Sequence, residues 1–257
     1  MILAIESSCD ESALALFEPA AGLRREVISS QAEAHVRFGG VVPELASRMH
    51  LSALPLLLED YRAELAAVSL IAVTRGPGLL PCLSMGVSFA RALALATGKP
   101  LVGVNHLRGH VHSPFIGLHA QAPANFLAAR AALLPHLGII ISGGNTLLVR
   151  LDTDLSITVI ARTVDDAAGE AFDKSAKLMG LGYPGGPALS RLAQQGRADA
   201  FKLPRPLLHS GDLDFSFAGL KTAVLTQSQK IGPAAHTEGA PERADLAAST
   251  QAAIVDV

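Results

Sequence analysis

The chain has no tryptophan, two tyrosines and 4% aromatic residues in total, so its interior must be built from Ala, Leu, Val and Ile. It has only two cysteines, Cys9 and Cys82, far apart and in no ligand or redox spacing. That excludes a disulfide framework and a Cys-based zinc site, and points to a reducing cytoplasm. Charge is scarce as well: 17% charged residues and a net charge of -2 exclude a chain-wide polyanion-binding surface, so any such site must be a local patch. No signal peptide, low-complexity tract or apolar run of 18 residues is visible, and no membrane partner is expected. What remains is 257 residues at 49% hydrophobic content, enough for one large domain or two ordinary ones with a proper core.

Two stretches share a layout. "MILAIESSCDESALALF" and "LGIIISGGNTLLVRL" (137–151) both read as apolar strand, turn of small residues, apolar strand. One opens each half of the chain, which predicts a duplicated architecture with a first domain over 1–130 and a second over 131–257. Between them lie a buried strand at 67–74, the turn "RGPG", a helix over 80–97 and a strand at 100–105. The Ala-rich stretch 116–136 makes a natural seam. A strand at 155–162 and helices at 166–179, 187–195, 216–229 and 242–257 follow, with "SGDLDFSF" (210–217) as an irregular loop. Alternating strands and helices predict an α/β sheet with helices on its faces. The last helical pattern stops without a capping glycine, which suggests an end inside an element.

Chemistry concentrates in a few places. "VNHLRGHVH" puts His106 and His110 four apart on one helical face, the spacing with which one helix holds Zn²⁺ or Fe²⁺. The alternative is plain hydrogen bonding at a helix start. Leu107 follows the first histidine where the zinc proteases carry their general base, so proteolysis is disfavoured. Asp10 and Glu11 sit in the first hairpin's tip, either as carboxylates aimed at a phosphate-bound metal or nucleophile, or as ordinary turn residues. "SGGN" (142–145) could bring backbone N–H groups to a phosphate or be a simple turn. The stiffened "YPGGP" (183–187) suggests close backbone approach to something flat, such as a purine or ribose. Asp166, Glu170 and Asp173 fall on one side of a helix, for which a solvated face is the plainer explanation.

In order, "ESSCDES", "HVRFGGVVPELASRMHL", "GPGLL", "NHLRGH", "ISGGNT", "DDAAGEAFDKSAKLMGLGYPGGP" and "FSFAGLKTAV" resemble the TsaD family, whose archaeal and eukaryotic members belong to the KEOPS complex. The likeness runs from Ile2 to about Asp256. It implies an actin/Hsp70/sugar-kinase-like fold of two similar domains around a cleft. It also implies transfer of a threonylcarbamoyl group from threonylcarbamoyl-adenylate to N6 of the adenosine beside the anticodon, in tRNAs reading ANN codons. Position by position it implies His106 and His110 as ligands of one iron or zinc ion, and Ile140, Ile141, Ser142, Gly143 and Gly144 as the adenylate-lining segment. Asp173 and Gly186 become substrate contacts, with Asp10 and its neighbour Glu11 as catalytic candidates. TsaB-like and TsaE-like proteins become the expected partners.

Two departures stand out. Arg108 occupies a position between the histidines that is usually acidic. The family's remaining metal ligand, an Asp, and a substrate-binding Asn lie in a C-terminal segment past Val257. The second domain is therefore expected to be incomplete, with weak metal binding and little activity by itself. The competing readings are a non-catalytic scaffold relative, against which the retained histidines argue, and an ATP-dependent kinase or ATPase. The latter is disfavoured because "ESSCDES" lacks the glycine of a phosphate hairpin.

Overall fold

The computed structural model describes all residues from Met1 to Val257, which form two compact units, Met1–Leu134 and Pro135–Val257. Both mix helix and strand, so the class is α/β. The unit boundary lies four residues past the expected seam at 130/131.

The first unit opens with an antiparallel meander, β1 (Ile2–Glu6), β2 (Glu11–Glu18) and β3 (Gly22–Ser30). Helices α1 (Ala32–Val36) and α2 (Pro43–Glu59) follow, then β4 (Leu70–Gly76), α3 (Leu80–Thr97) and β5 (Leu101–Asn105). The sheet order is β3-β2-β1-β4-β5, with β1, β4 and β5 parallel. Period-two alternation sends Leu3, Ile5, Leu14 and Leu16 to one face, where they meet Leu54 of α2, Ala90 of α3, Ile71 and Tyr61. Tyr61 is fully buried and satisfies its hydroxyl by donating to the Leu14 carbonyl at 3.0 Å.

Helix α2 starts with a proline, whose missing N–H costs nothing there, and buries Ala46, His50 and Leu54 at successive i+4 positions. Neither α2 nor β3 was expected. The strand "GLRREVISS" is an edge strand whose charges hide its alternation. Helix α3 has the predicted limits and ends on Gly98 at φ +66°, the left-handed stop that glycine accepts most readily. By length and composition its 18 residues would also suffice to cross a membrane, although Arg91 and two serines interrupt the apolar run. Its inner side, Cys82, Leu83, Gly86 and Ala90, is buried in this unit.

The unit closes with α4 (His106–His112), α5 (Phe115–Gln121) and α6 (Phe126–Ala131). The Ala-rich stretch is thus folded structure as well as a seam. Buried His119 of α5 sits between the rings of Phe17 and Phe126, at centroid distances of 4.9 and 4.7 Å, and its Nε2 donates to the Pro19 carbonyl.

The second unit repeats the meander as β6 (His136–Ile141), β7 (Thr146–Leu151) and β8 (Ile157–Arg162), order β6-β7-β8. After it come only helices: α7 (Ala168–Leu178), α8 (Gly185–Ala193), α9 (Ala218–Ile231) and α10 (Pro241–Asp256). Helix α10 is the hub, with Leu246, Ala247, Ala253 and Ile254 in a core shared with Ala171, Met179, Leu189, Leu220 and Val224. Its buried Arg243 caps α7 by donating twice to the Met179 carbonyl, at 2.9 and 3.1 Å.

Candidate active site

In an open parallel sheet, side chains past the carboxyl ends of neighbouring strands converge on one edge. In the first unit those ends carry Glu6 (β1), Thr74 (β4) and Asn105 (β5). Asn105 caps α4 by accepting from the Arg108 N–H at 3.0 Å, so the cap is the asparagine and both histidine rings stay free for other work. The rings meet edge to face with centroids 4.5 Å apart, and their Nε2 atoms stand 3.1 Å from each other. On the far side His106 Nδ1 lies 3.1 Å from Glu6 Oε2 and 3.3 Å from Ser8 Oγ.

Glu6 is the residue that sequence reasoning missed. Burial pushes its carboxyl up, but hydrogen bonds from His106, Ser8 and Thr74 outweigh that and hold it at about 2. An ionised carboxylate can only accept, so His106 Nδ1 carries a proton, and Nε2 is the nitrogen left to offer a lone pair when the ring is neutral. For His110, burial comes first and the His106 ring second in lowering its pKa, against a weaker pull from Glu6, which favours a neutral imidazole. Neutral rings with lone pairs are what a metal takes.

The hairpin tip 7–10 is held residue by residue. Ser7 Oγ donates to the Cys82 carbonyl at 3.1 Å. The Ser8 carbonyl accepts from Leu79 at 2.8 Å, and a Cβ on Gly78 would stand 2.6 Å from that oxygen, which explains "GPGLL". The Cys9 carbonyl accepts from His50 Nε2 at 2.9 Å, while His50 Nδ1 meets Ser12 Oγ at 2.7 Å. The Asp10 carbonyl accepts from the Gln31 N–H at 2.9 Å. Asp10 itself is half-buried beside Cys9, whose thiol is pushed up to about 12, by burial first and by the Asp10 charge second. Glu11 is exposed at the start of β2. Neither carboxylate hydrogen-bonds the histidines.

In the second unit Ser142 closes its turn, with its Oγ accepting from Gly144 and Asn145 N–H at 3.4 and 3.0 Å. The outer sides of Gly143 and Gly144 are open, with no atom within 4 Å of an added Cβ. Alternation buries Ile140 (8% exposed) and leaves Ile141 out (60%), so Ile140 offers a ligand only its main chain. The start of α7 presses on this turn: Ala168 N–H donates to Thr146 Oγ1 at 2.8 Å, and a Cβ on Gly169 would come within 2.5 Å of the Ser142 carbonyl.

On the acidic face of α7, Asp166 and Glu170 are tied to Lys174 at 3.0 and 2.7 Å. Asp173 differs, because its Oδ1 accepts from both Gly185 and Gly186 N–H, at 2.9 and 3.0 Å. The close approach expected at "YPGGP" is therefore internal at Gly185, where a Cβ would lie 2.6 Å from that of Ala176. Gly186 is roomier, with its nearest neighbour at 3.6 Å.

The histidine pair fits a divalent metal as two of its ligands. At metal–nitrogen lengths of about 2.0–2.1 Å, tetrahedral ligand atoms lie roughly 3.3 Å apart, close to the observed 3.1 Å. A carboxylate behind one imidazole is the usual support for such a ligand. No group of three or more His, Cys, Asp or Glu side chains is assembled for a metal, so its other positions fall to water, substrate or other donors.

Comparison with known proteins gives first a class, transferases that modify tRNA. The family profile of TsaD, tRNA N6-adenosine threonylcarbamoyltransferase, matches residues 22–257, and the chain belongs to that family. Curated relatives of that name include those of Verminephrobacter eiseniae, 54% identical over 266 residues, and Ralstonia pickettii, 51% over 261. In both, the match covers 100% of this chain and 72% of the relative. Among solved structures, YeaZ from Pseudomonas aeruginosa is 20% identical over 62% of this chain and 63% of that one. Its TM-score of 0.35 carries no weight for the fold.

Proposed function

We propose that this chain transfers the threonylcarbamoyl group of threonylcarbamoyl-adenylate to N6 of the adenosine beside the anticodon in tRNAs reading ANN codons, with His106 and His110 as two ligands of one Fe²⁺ or Zn²⁺. The observation that carries this is the pair of Nε2 atoms 3.1 Å apart, one of them oriented by Glu6. Such an ion, when bound, supplies a Lewis acid that offsets negative charge on the adenylate phosphate.

The rest is work for the chain's own groups. The amine lone pair of N6 forms a C–N bond at the carbamoyl carbon, the C–O bond to the phosphate breaks, and AMP leaves with its electron pair. The amine is a weak nucleophile because its lone pair is shared with the purine ring, so positioning carries much of the rate. Asp10, on a hairpin tip fixed by Leu79, His50 and Gln31, is the candidate to take the departing amine proton, with Glu11 next to it. The open sides of Gly143 and Gly144 suit close approach of a phosphate to the backbone, and the exposed Ile141 offers an apolar edge to the adenosine. Asp173 acts through the turn it ties down. The N–H of Gly186 is already used by Asp173, so Gly186 offers a substrate its unencumbered Cα face. TsaB-like and TsaE-like partners and a cytoplasmic location complete the reading.

Metal titration and single-turnover transfer from labelled adenylate to tRNA test it together. With two protein ligands the chain should bind Fe²⁺ or Zn²⁺ weakly but measurably, and the His106→Ala, His110→Ala double variant not at all. Equal metal content in both proteins would remove the assignment.

A further inference from the structure

Ser12, His35 and His50 are fully buried in the first unit, and Gln31 is 2% exposed. Polar groups in such a place are unfavourable unless each finds a partner, and here each does.

The partners fix which atom donates at every step. The Val42 N–H, just before α2, can only donate, and it meets His35 Nδ1 at 3.3 Å. That nitrogen therefore carries a lone pair, and the ring's proton sits on Nε2, which donates to Gln31 Oε1 at 3.4 Å. With its oxygen taken by His35, the Gln31 amide turns its N–H₂ to the Ala46 carbonyl and to His50 Nδ1, both at 3.4 Å. Ser12 Oγ donates to the same nitrogen at 2.7 Å. His50 is thus also protonated on Nε2, and that N–H donates to the Cys9 carbonyl at 2.9 Å. Starting from the other end gives the same answer, since the Cys9 carbonyl only accepts. Two neutral rings and one amide form a chain with a single direction, from the entry of α2 to the hairpin tip. Links of this kind polarise one another in a dry interior.

The chain ends on either side of Asp10. The Cys9 carbonyl belongs to the peptide plane before the Asp10 Cα. The Asp10 carbonyl, in the plane after it, accepts from the Gln31 main-chain N–H at 2.9 Å. With both flanking planes held, the two soft dihedrals of Asp10 are set, and with them the direction of its side chain. The His35 ring bonds only Val42 and Gln31, so its influence on Asp10 passes through the chain.

We propose that His35, Gln31 and His50 are positioning residues for the transfer reaction, a one-way hydrogen-bond chain that aims Asp10. This rests on the reading of Asp10 as the group that takes the amine proton, and adds what holds it in place.

The tautomers are tested on the unaltered protein, by long-range proton–nitrogen correlation spectra of its histidine rings. His35 and His50 should both show a proton on Nε2 and a bare Nδ1. A proton on Nδ1 of either ring would overturn the chain without any variant having to fold. Positioning is tested by single-turnover transfer at saturating adenylate and tRNA, with metal in excess. His35→Phe keeps a ring of similar size and removes both nitrogens. It should slow transfer about 10- to 100-fold at unchanged adenylate affinity, since misplacing a catalytic group by about 1 Å has an effect of that order. His35→Gln, whose amide still offers an N–H to Gln31, should recover most of the rate. Full rate in folded His35→Phe, or a His35→Gln as slow as it, would overturn the positioning role. Asp10→Asn separates this inference from the reading beneath it. A slowed Asp10→Asn beside an unimpaired His35→Phe removes the chain's role alone. An Asp10→Asn at full rate, or an unaltered chain that transfers nothing, removes the reading of Asp10 and this inference together.

Discussion

Replacing Glu6 with Gln changes almost no volume and one charge, which isolates the support given to His106. The carboxylate accepts from the Ser8 N–H on one oxygen and from Thr74 Oγ1 and His106 Nδ1 on the other. An amide has one acceptor, so either orientation turns an N–H₂ toward a donor. Holding the acid at about 2 instead of 4.5 corresponds to roughly 3 kcal/mol in favour of the ionised form. The side chain is 33% exposed, so screening reduces the usable part to about 1–2 kcal/mol. A depressed carboxyl contributes its full stabilisation above its unfolded pKa of 4.5 and loses it as pH falls through about 2. Denaturant unfolding should therefore place Glu6→Gln about 1–2 kcal/mol below the unaltered protein at pH 7, with the gap closing toward pH 2. Metal affinity should drop by about 10- to 100-fold, the usual effect of losing the group behind a ligand. A gap of the same size at pH 7 and pH 3, or undiminished metal affinity, would refute the account of Glu6.

Two further perturbations separate packing from function. Gly185→Ala pushes a methyl against Ala176 and the Asp173 backbone and should cost about 1–3 kcal/mol in chemical denaturation, whereas Gly186→Ala meets nothing closer than 3.6 Å and should unfold like the unaltered protein. Loss of transfer activity in Gly186→Ala with stability intact would then mark its open face as a substrate contact, and destabilisation by both variants alike would contradict the geometry. His50→Ala empties a fully buried site and strands Ser12 Oγ and the Cys9 carbonyl, so it should cost about 2–4 kcal/mol, with His50→Gln losing less. A loss below about 0.5 kcal/mol would show that the hairpin tip does not depend on that ring.

Local signals made much of the fold legible. The alternation of "ILAIE" and "ESALALF" and the Pro81 to Gly98 bracket around α3 are period and punctuation effects, and both are found where expected. What stayed hidden depends on distance along the chain. Glu6 looks like one more polar residue in a turn until Thr74 and His106, 68 and 100 residues away, close on it. His50 reads as a polar interruption of an apolar helix face, and only the folded hairpin shows that it holds a carbonyl. "YPGGP" is the instructive misreading. Its first glycine is required by the neighbouring helix, a demand no local pattern can separate from the approach of a ligand.

The scarcity of aromatic residues and the arrangement of the candidate site have one cause in common. With few large rings to hold layers apart, small residues bring backbone against backbone: Gly78 on Ser8, Gly169 on Ser142, Gly185 on α7. Each contact pins a segment that carries a candidate functional group. Glu6, Ser8 and Asp10 lie on the first, Gly143 and Gly144 follow the second, and Gly186 follows the third. Positions fixed by main-chain proximity do not relax through rotamer changes as side-chain contacts do, so a single methyl at such a glycine must shift a whole turn. That rigidity suits a reaction driven by positioning, in which a weak amine nucleophile depends on the site to hold the acyl carbon within reach.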